Sequence, residues 1–182
     1  EHDPHLTIPT NIYALSKLHG EHLVKHYVHN YGLKATIVRP FMVYGPGEPI
    51  SRFRSAMLNF IIKLLEKKPI DVHKNTVRSW TYITDIVHGL CLVLSKSTFE
   101  TCPTFNLGMD EPHTMLEVAQ LIAKECGSSP SLIHLIEPPR HFITYEKYGD
   151  FEKAKRLLGF EAKVSLAEGI KRTVHWAREV TK

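Results

Sequence analysis

The sequence predicts a mixed α/β protein, and three observations predict it. Short runs of β-branched and aliphatic residues alternate with longer stretches whose apolar residues recur every three or four positions. Gly, Pro and helix-capping residues stand at the boundaries between them. No internal repeat or low-complexity linker interrupts the alternation, which favours α/β over α+β.

The elements follow in order. Asn11 to Asn30 reads as a helix, with Thr10 or Asn11 to cap it and Gly32 just past its end. Ala35 to Val38 reads as a buried strand ending at Arg39-Pro40, and Tyr44 to Pro49 as a Gly/Pro loop. Phe53, Met57, Phe60, Ile61, Leu64 and Leu65 share a helical face that stops before Pro69. Ile70 to His73 and Arg78 to Ile83 read as extended pieces. Asp85 then opens and caps a helix with core positions Ile86, Leu90, Cys91 and Leu94. Thr104 to Leu107 is a short strand. Thr114 with Glu117 is a capping box for a helix that stops at Gly127. Leu132 to Leu135 is a strand, Phe151 to Leu158 a short helix, and Ser165 with Glu168 a second capping box opening a helix through Trp176.

Composition narrows the function classes. Hydrophobic residues are 43% and charged residues 23% of the 182, a globular balance. No apolar run approaches the roughly 20 residues of a membrane span, and Glu1 to His5 lacks a signal pattern. Cys91, Cys102 and Cys126 are odd in number and lack metal spacing, so reduced thiols in a cytoplasmic protein are expected. A net charge of +4 suits an anionic small molecule and is too small to argue for nucleic acid.

The chemistry centres on Tyr13-Ala14-Leu15-Ser16-Lys17, which puts a phenol and an ammonium four residues apart on one helix face. A free phenol titrates near ~10, too high for a base at neutral pH, and a nearby cation favours the phenolate. Such a pair can move a proton to or from a substrate hydroxyl. His19, His22, His26 and His29 form a separate stripe facing away from that pair, read as a solvated or subunit-contact face rather than a metal site. No three glycines have the spacing of a dinucleotide-binding turn, so the chain is not expected to build a pyrophosphate cradle.

Several collinear segments carry a resemblance. They are Ile8-Pro9, Tyr13, Ser16-Lys17 and Glu21; Tyr31-Gly32-Leu33; Arg39-Pro40; Val43 to Gly47; Arg78 to Asp85; Phe105-Asn106-Leu107-Gly108; Asp150 to Phe160; and Ser165 to Trp176. Together they resemble the NAD-dependent epimerase/dehydratase family, the extended short-chain dehydrogenases/reductases that act on nucleotide sugars. The resemblance implies the C-terminal part of a Rossmann-like doubly wound sheet plus a small α/β substrate-binding lobe. It would place residues 1–45 in the dinucleotide-binding domain and 46–182 mainly in the lobe, with about 80–108 returning to the sheet. The glycine-rich turn and a catalytic Ser or Thr would precede residue 1.

The resemblance also implies roles. Tyr13 would transfer the proton, and Lys17 would tune it and contact the nicotinamide ribose. The backbone at Pro40 and Phe41 would line the nicotinamide of NAD or NADP. Met42, Arg78 and Arg140 would face a nucleoside-diphosphate sugar, and the intact enzyme would be a homodimer. Met42 departs from the family, which often has Asn there, and His141-Phe142-Ile143 replaces the Pro-Gly-Asp after the second arginine. The implied activity is that of a nucleotide-sugar epimerase. The alternatives are a reductase or 4,6-dehydratase using the same pair, or a non-catalytic member that binds a nucleotide or a protein partner.

Overall fold

The computed structural model describes residues 9, 11–51, 55–96, 101–139 and 145–181. Helix α1 spans Ile12–Tyr31; the Asn11 side chain accepts the Ala14 N–H, and Gly32 at φ +67° closes the helix in the left-handed region. Strand β1 covers Ile37–Pro40, two residues later than expected, and β2, Val43–Tyr44, takes Tyr44 from the expected loop. Helix α2, Ala56–Leu65, starts at Ser55, whose Oγ accepts the Leu58 N–H. The Glu48 carboxylate in turn accepts the Ser55 N–H and its hydroxyl. Phe53, expected in this helix, lies outside the described residues.

Strand β3 is Ile70–His73, as expected. The extended piece over 78–83 is broken into β4, Val77–Ser79, and β5, Thr81–Tyr82, on either side of Trp80. Helix α3 is Ile83–Ser95, β6 Thr104–Leu107, β7 Pro112–Thr114 and α4 Met115–Cys126. Strands β8, Ile133–Ile136, and β9, Glu146–Lys147, precede α5, Glu152–Leu158, and α6, Leu166–Val180. The box at Thr114 closes reciprocally with Glu117. At Ser165 the hydroxyl accepts the Glu168 N–H, while the Glu168 carboxylate pairs with Arg172 at 2.7 Å, one turn along.

The pairings explain the shifted boundaries. Strands β1 and β6 run parallel with Ile37 opposite Thr104 and Pro40 opposite Leu107, so β1 extends as far as its partner's ladder does. Strand β2 pairs in parallel with β5, and β3 with β8. Strand β4 lies between β7, antiparallel, and β9, parallel. The chain therefore changes sheets at Trp80. The crossing is pinned on both sides of it: the Ser79 hydroxyl donates to the Met109 carbonyl, and the Met109 N–H donates to Thr81 Oγ1 at 3.0 Å.

Two apolar clusters form. The larger joins α2, β3, α4 and α6 through Leu58, Ile61, Leu64, Val72, Ile122 and Ile170. The smaller joins α3, β6 and α5 through Ile86, Phe105, Leu107, Leu158 and Phe160. The buried face of α3 differs from the expected one. Ile86 is buried, but with Asp85, Gly89 and Val93, while Leu90 and Leu94 are 41% and 73% exposed and Cys91 is exposed. The contact is set by Gly89, where an added Cβ would lie 2.7 Å from Leu107 and 2.9 Å from Phe160. Asp85 is not the cap: α3 begins at Ile83, and the buried Asp85 carboxylate accepts the N–H groups of Lys163 and Val164 at 3.1 and 3.0 Å.

Candidate active site

Helix α1 presents Tyr13 and Lys17 one turn apart, with Lys17 Nζ 5.4 Å from the centre of the Tyr13 ring. The Tyr13 side is open: the residue is 71% exposed. An added Cβ on Gly20, the next residue along this face, would meet no atom within 4 Å. Ala14, Leu15, Leu18, Glu21, Val24 and Val28 are half-buried, a stripe that begins beside the Tyr13–Lys17 line and runs round one side of the helix. The four stripe histidines are all exposed, and His26 Nδ1 lies 3.0 Å from Asn30 Nδ2.

Glu21 and Arg39 join this helix to the sheet. Arg39 Nε and Nη2 each donate to one Glu21 carboxylate oxygen at 2.5 Å, a two-point fork between α1 and β1. The hydrogen bond to Glu21 raises the Arg39 pKa above its ordinary value, against the opposing effect of burial. Beyond Arg39, Pro40 is exposed at the end of β1. The Phe41 N–H donates to the Leu107 carbonyl at 2.9 Å, and its ring packs edge-on against Phe151, 5.3 Å between centres. The Phe41 ring is thus used in packing beside Gly149, where an added Cβ would press on it, while one on Gly108 would press on the Phe151 ring.

Met42 adopts φ +40°, a backbone region that non-glycine residues rarely occupy and that Asn enters more easily. Its carbonyl accepts the Thr81 N–H at 3.1 Å, and its side chain packs on the larger cluster. Arg78 stands on β4, opposite His113 of β7. Its Nη1 donates to the carbonyls of Val77 and Tyr145 at 2.7 and 2.8 Å, and burial lowers its pKa from the ordinary value. Arg140 lies outside the described residues. Nothing local in the sequence pairs Glu21 with Arg39, although Glu21 stands four residues after Lys17, the spacing of one helical turn.

Residues 1–108, more than half of the chain, match the model of the NAD dependent epimerase/dehydratase family. The chain belongs to that family. A UDP-glucuronate 4-epimerase of Thermodesulfobacterium geofontis is 34% identical over 94% of this chain and 51% of its own length. A UDP-glucuronic acid decarboxylase of Xenopus tropicalis is 28% identical over 94% of this chain and 40% of its own. Among solved structures, the UDP-glucuronic acid 4-epimerase of Bacillus cereus, in complex with UDP-glucuronic acid and NAD, aligns with a TM-score of 0.85 at 28% identity. That alignment covers 96% of this chain and 55% of that one. The UDP-glucose 4-epimerase of Thermotoga maritima, with UDP-glucose, aligns with a TM-score of 0.85 at 26% identity, over 93% and 54% of the two chains. The fold of this family member is therefore that of the Rossmann-type epimerases. The chain spans about half the length of the first curated relatives it matches. Among the described residues, no helix is long and apolar enough to cross a membrane.

Proposed function

We propose that the intact protein is an NAD(P)-dependent epimerase of a nucleoside-diphosphate sugar, with Tyr13 and Lys17 as its acid/base pair. The observation that carries this is the phenol and ammonium one turn apart on an open face of α1, in a chain of this family. The residues present suit the nicotinamide end of a dinucleotide. Tyr13 and Lys17 would hold the nicotinamide ribose, the clear space beside Gly20 leaves that face accessible, and the backbone at Pro40 and Phe41 would line the ring. NAD(P), when bound, supplies the acceptor and donor of hydride. Tyr13 Oη takes the proton from the sugar hydroxyl as the carbon is oxidised to a ketone. It returns the proton when the ketone is reduced on its other face. The Lys17 ammonium stabilises negative charge on the phenol side of this exchange.

Arg78 would bind the diphosphate, since a guanidinium matches phosphate oxygens and the backbone carbonyls of Val77 and Tyr145 already orient it. Met42 favours the second reading in its reductase form, because it brings no amide to a place where epimerases and dehydratases of the family often have one. UDP-glucuronate is the first substrate to assay, because relatives on both the sequence and structure sides are named for it. In the intact protein, Tyr13→Phe should lower kcat by about 10²–10⁴-fold with little change in KM. Near-normal kcat in that variant would remove the proton-transfer role. NMR of the product separates inversion at one carbon from loss of water or net reduction.

A further inference from the structure

We propose that the Glu21–Arg39 fork is a positioning device: it sets the depth and rotation of α1 on the sheet and so fixes where the Tyr13–Lys17 face stands relative to the end of β1. This rests on the reading of Tyr13 and Lys17 as the acid/base pair. Helix α1 runs for 20 residues and has no fully buried residue. Its half-buried side consists of Ala14, Leu15, Leu18, Val24 and Val28, with one carboxylate, Glu21, in the middle. Apolar contact is non-directional, so a helix held by such a stripe alone can roll or slide by a fraction of a turn. A two-point charged bond cannot follow that motion without breaking.

The two ends of the fork are placed where such motion would matter. Glu21 lies two turns after Tyr13 and one turn after Lys17, about 12 Å and 6 Å along the axis. Arg39 immediately precedes Pro40 and Phe41. Both bonds are 2.5 Å, and the Glu21 side chain is only 14% exposed against 49% for Arg39. A carboxylate buried to that degree is costly unless paired, so the fork has one satisfied arrangement and few near-equivalents. Surface ion pairs with one contact and two exposed partners contribute little; this pair differs in both respects.

The test compares Glu21→Gln, Arg39→Gln and the charge-swapped pair Glu21→Arg with Arg39→Glu. Backbone hydrogen exchange of the 182-residue chain is the first readout. Either single variant should exchange about tenfold faster over residues 12–24, with the amides of α2, α4 and α6 unchanged as the control for folding. The swapped pair should regain most of the protection. Unchanged exchange in both singles, or a swapped pair no better than the singles, overturns the proposal. Steady-state kinetics of the intact protein is the second readout. Each single should lower kcat with KM within about twofold, and the swap should restore kcat. Faster exchange with unaltered kcat would reduce the fork to a structural tie and also overturn the proposal. Tyr13→Phe, assayed beside these variants, reports separately on the acid/base reading, while the exchange arm judges the fork in either case.

Discussion

Lys67, just past α2, sits at φ +57°, where a side chain is strained and glycine is not. Its ammonium reaches the C-terminal end of α4, donating to the Gly127 carbonyl at 2.8 Å and to Ser128 Oγ at 3.1 Å. The strain and the bonds can be separated. Lys67→Ala should cost about 1–2 kcal/mol, since the bonds are lost and the strain remains. Lys67→Gly should cost less by about 1 kcal/mol, because glycine relaxes the backbone. Urea unfolding of both variants checks this, and equal midpoints would mean that φ carries no strain there. Met42 shows the same tension at the candidate site: its left-handed backbone suits Asn, yet the side chain present is apolar and packed on the core.

Two elements depend on single carboxylates. In α4, the Glu117 carboxylate accepts the Thr114 N–H at 2.7 Å and its hydroxyl at 2.9 Å, and these bonds hold its pKa below the ordinary carboxylate value, the backbone bond most of all. A depressed folded pKa means stability that is fully present above the unfolded value of about 4.3 and lost as pH falls through the lower folded value. The stability advantage of the native chain over Glu117→Gln should therefore be steady at neutral pH and shrink as pH falls below about 4.3, read by thermal unfolding at several pH values. A pH-independent difference would sink it. In α3, Asp85 ties the 163–164 backbone to the helix. Asp85→Ala would orphan two amide groups and should cost about 2–4 kcal/mol, with Asp85→Asn costing less because one acceptor remains. Chemical denaturation of the pair measures the difference, and equal loss would mean that the contact is merely steric.

At the scale of the molecule, packing is uneven. The α2–α4–α6 cluster buries large side chains completely, whereas α1 buries none. The helix bearing the candidate catalytic pair is therefore the one least supported by the rest of this chain, and a parallel sheet of only β1 and β6 leaves both outer edges unpaired among the described residues. No glycine-rich phosphate turn is present in the sequence. Calorimetric titration of the 182-residue chain with NAD or NADP should accordingly show no low-micromolar binding; a clear isotherm in that range would show that these residues suffice for the cofactor.

The helices are legible in the sequence because their signals are local. Asn11 and Gly32 bound α1, Thr114, Glu117 and Gly127 bound α4, and Tyr13 with Lys17 share a face by helical period alone. Each of these signals acts within about one turn of the chain it marks. The features that the sequence leaves open depend on partners far along the chain. The extent of β1 follows from β6, some 67 positions away, and the break at Trp80 from Met109. The buried face of α3 follows from the contacts of Gly89 with Leu107 and Phe160, not from the count of apolar residues. The Glu21–Arg39 fork spans 18 positions. Strands of two to four residues and cross-element ion pairs have no stability of their own, so tertiary packing decides where they begin, where they end and what they hold in place.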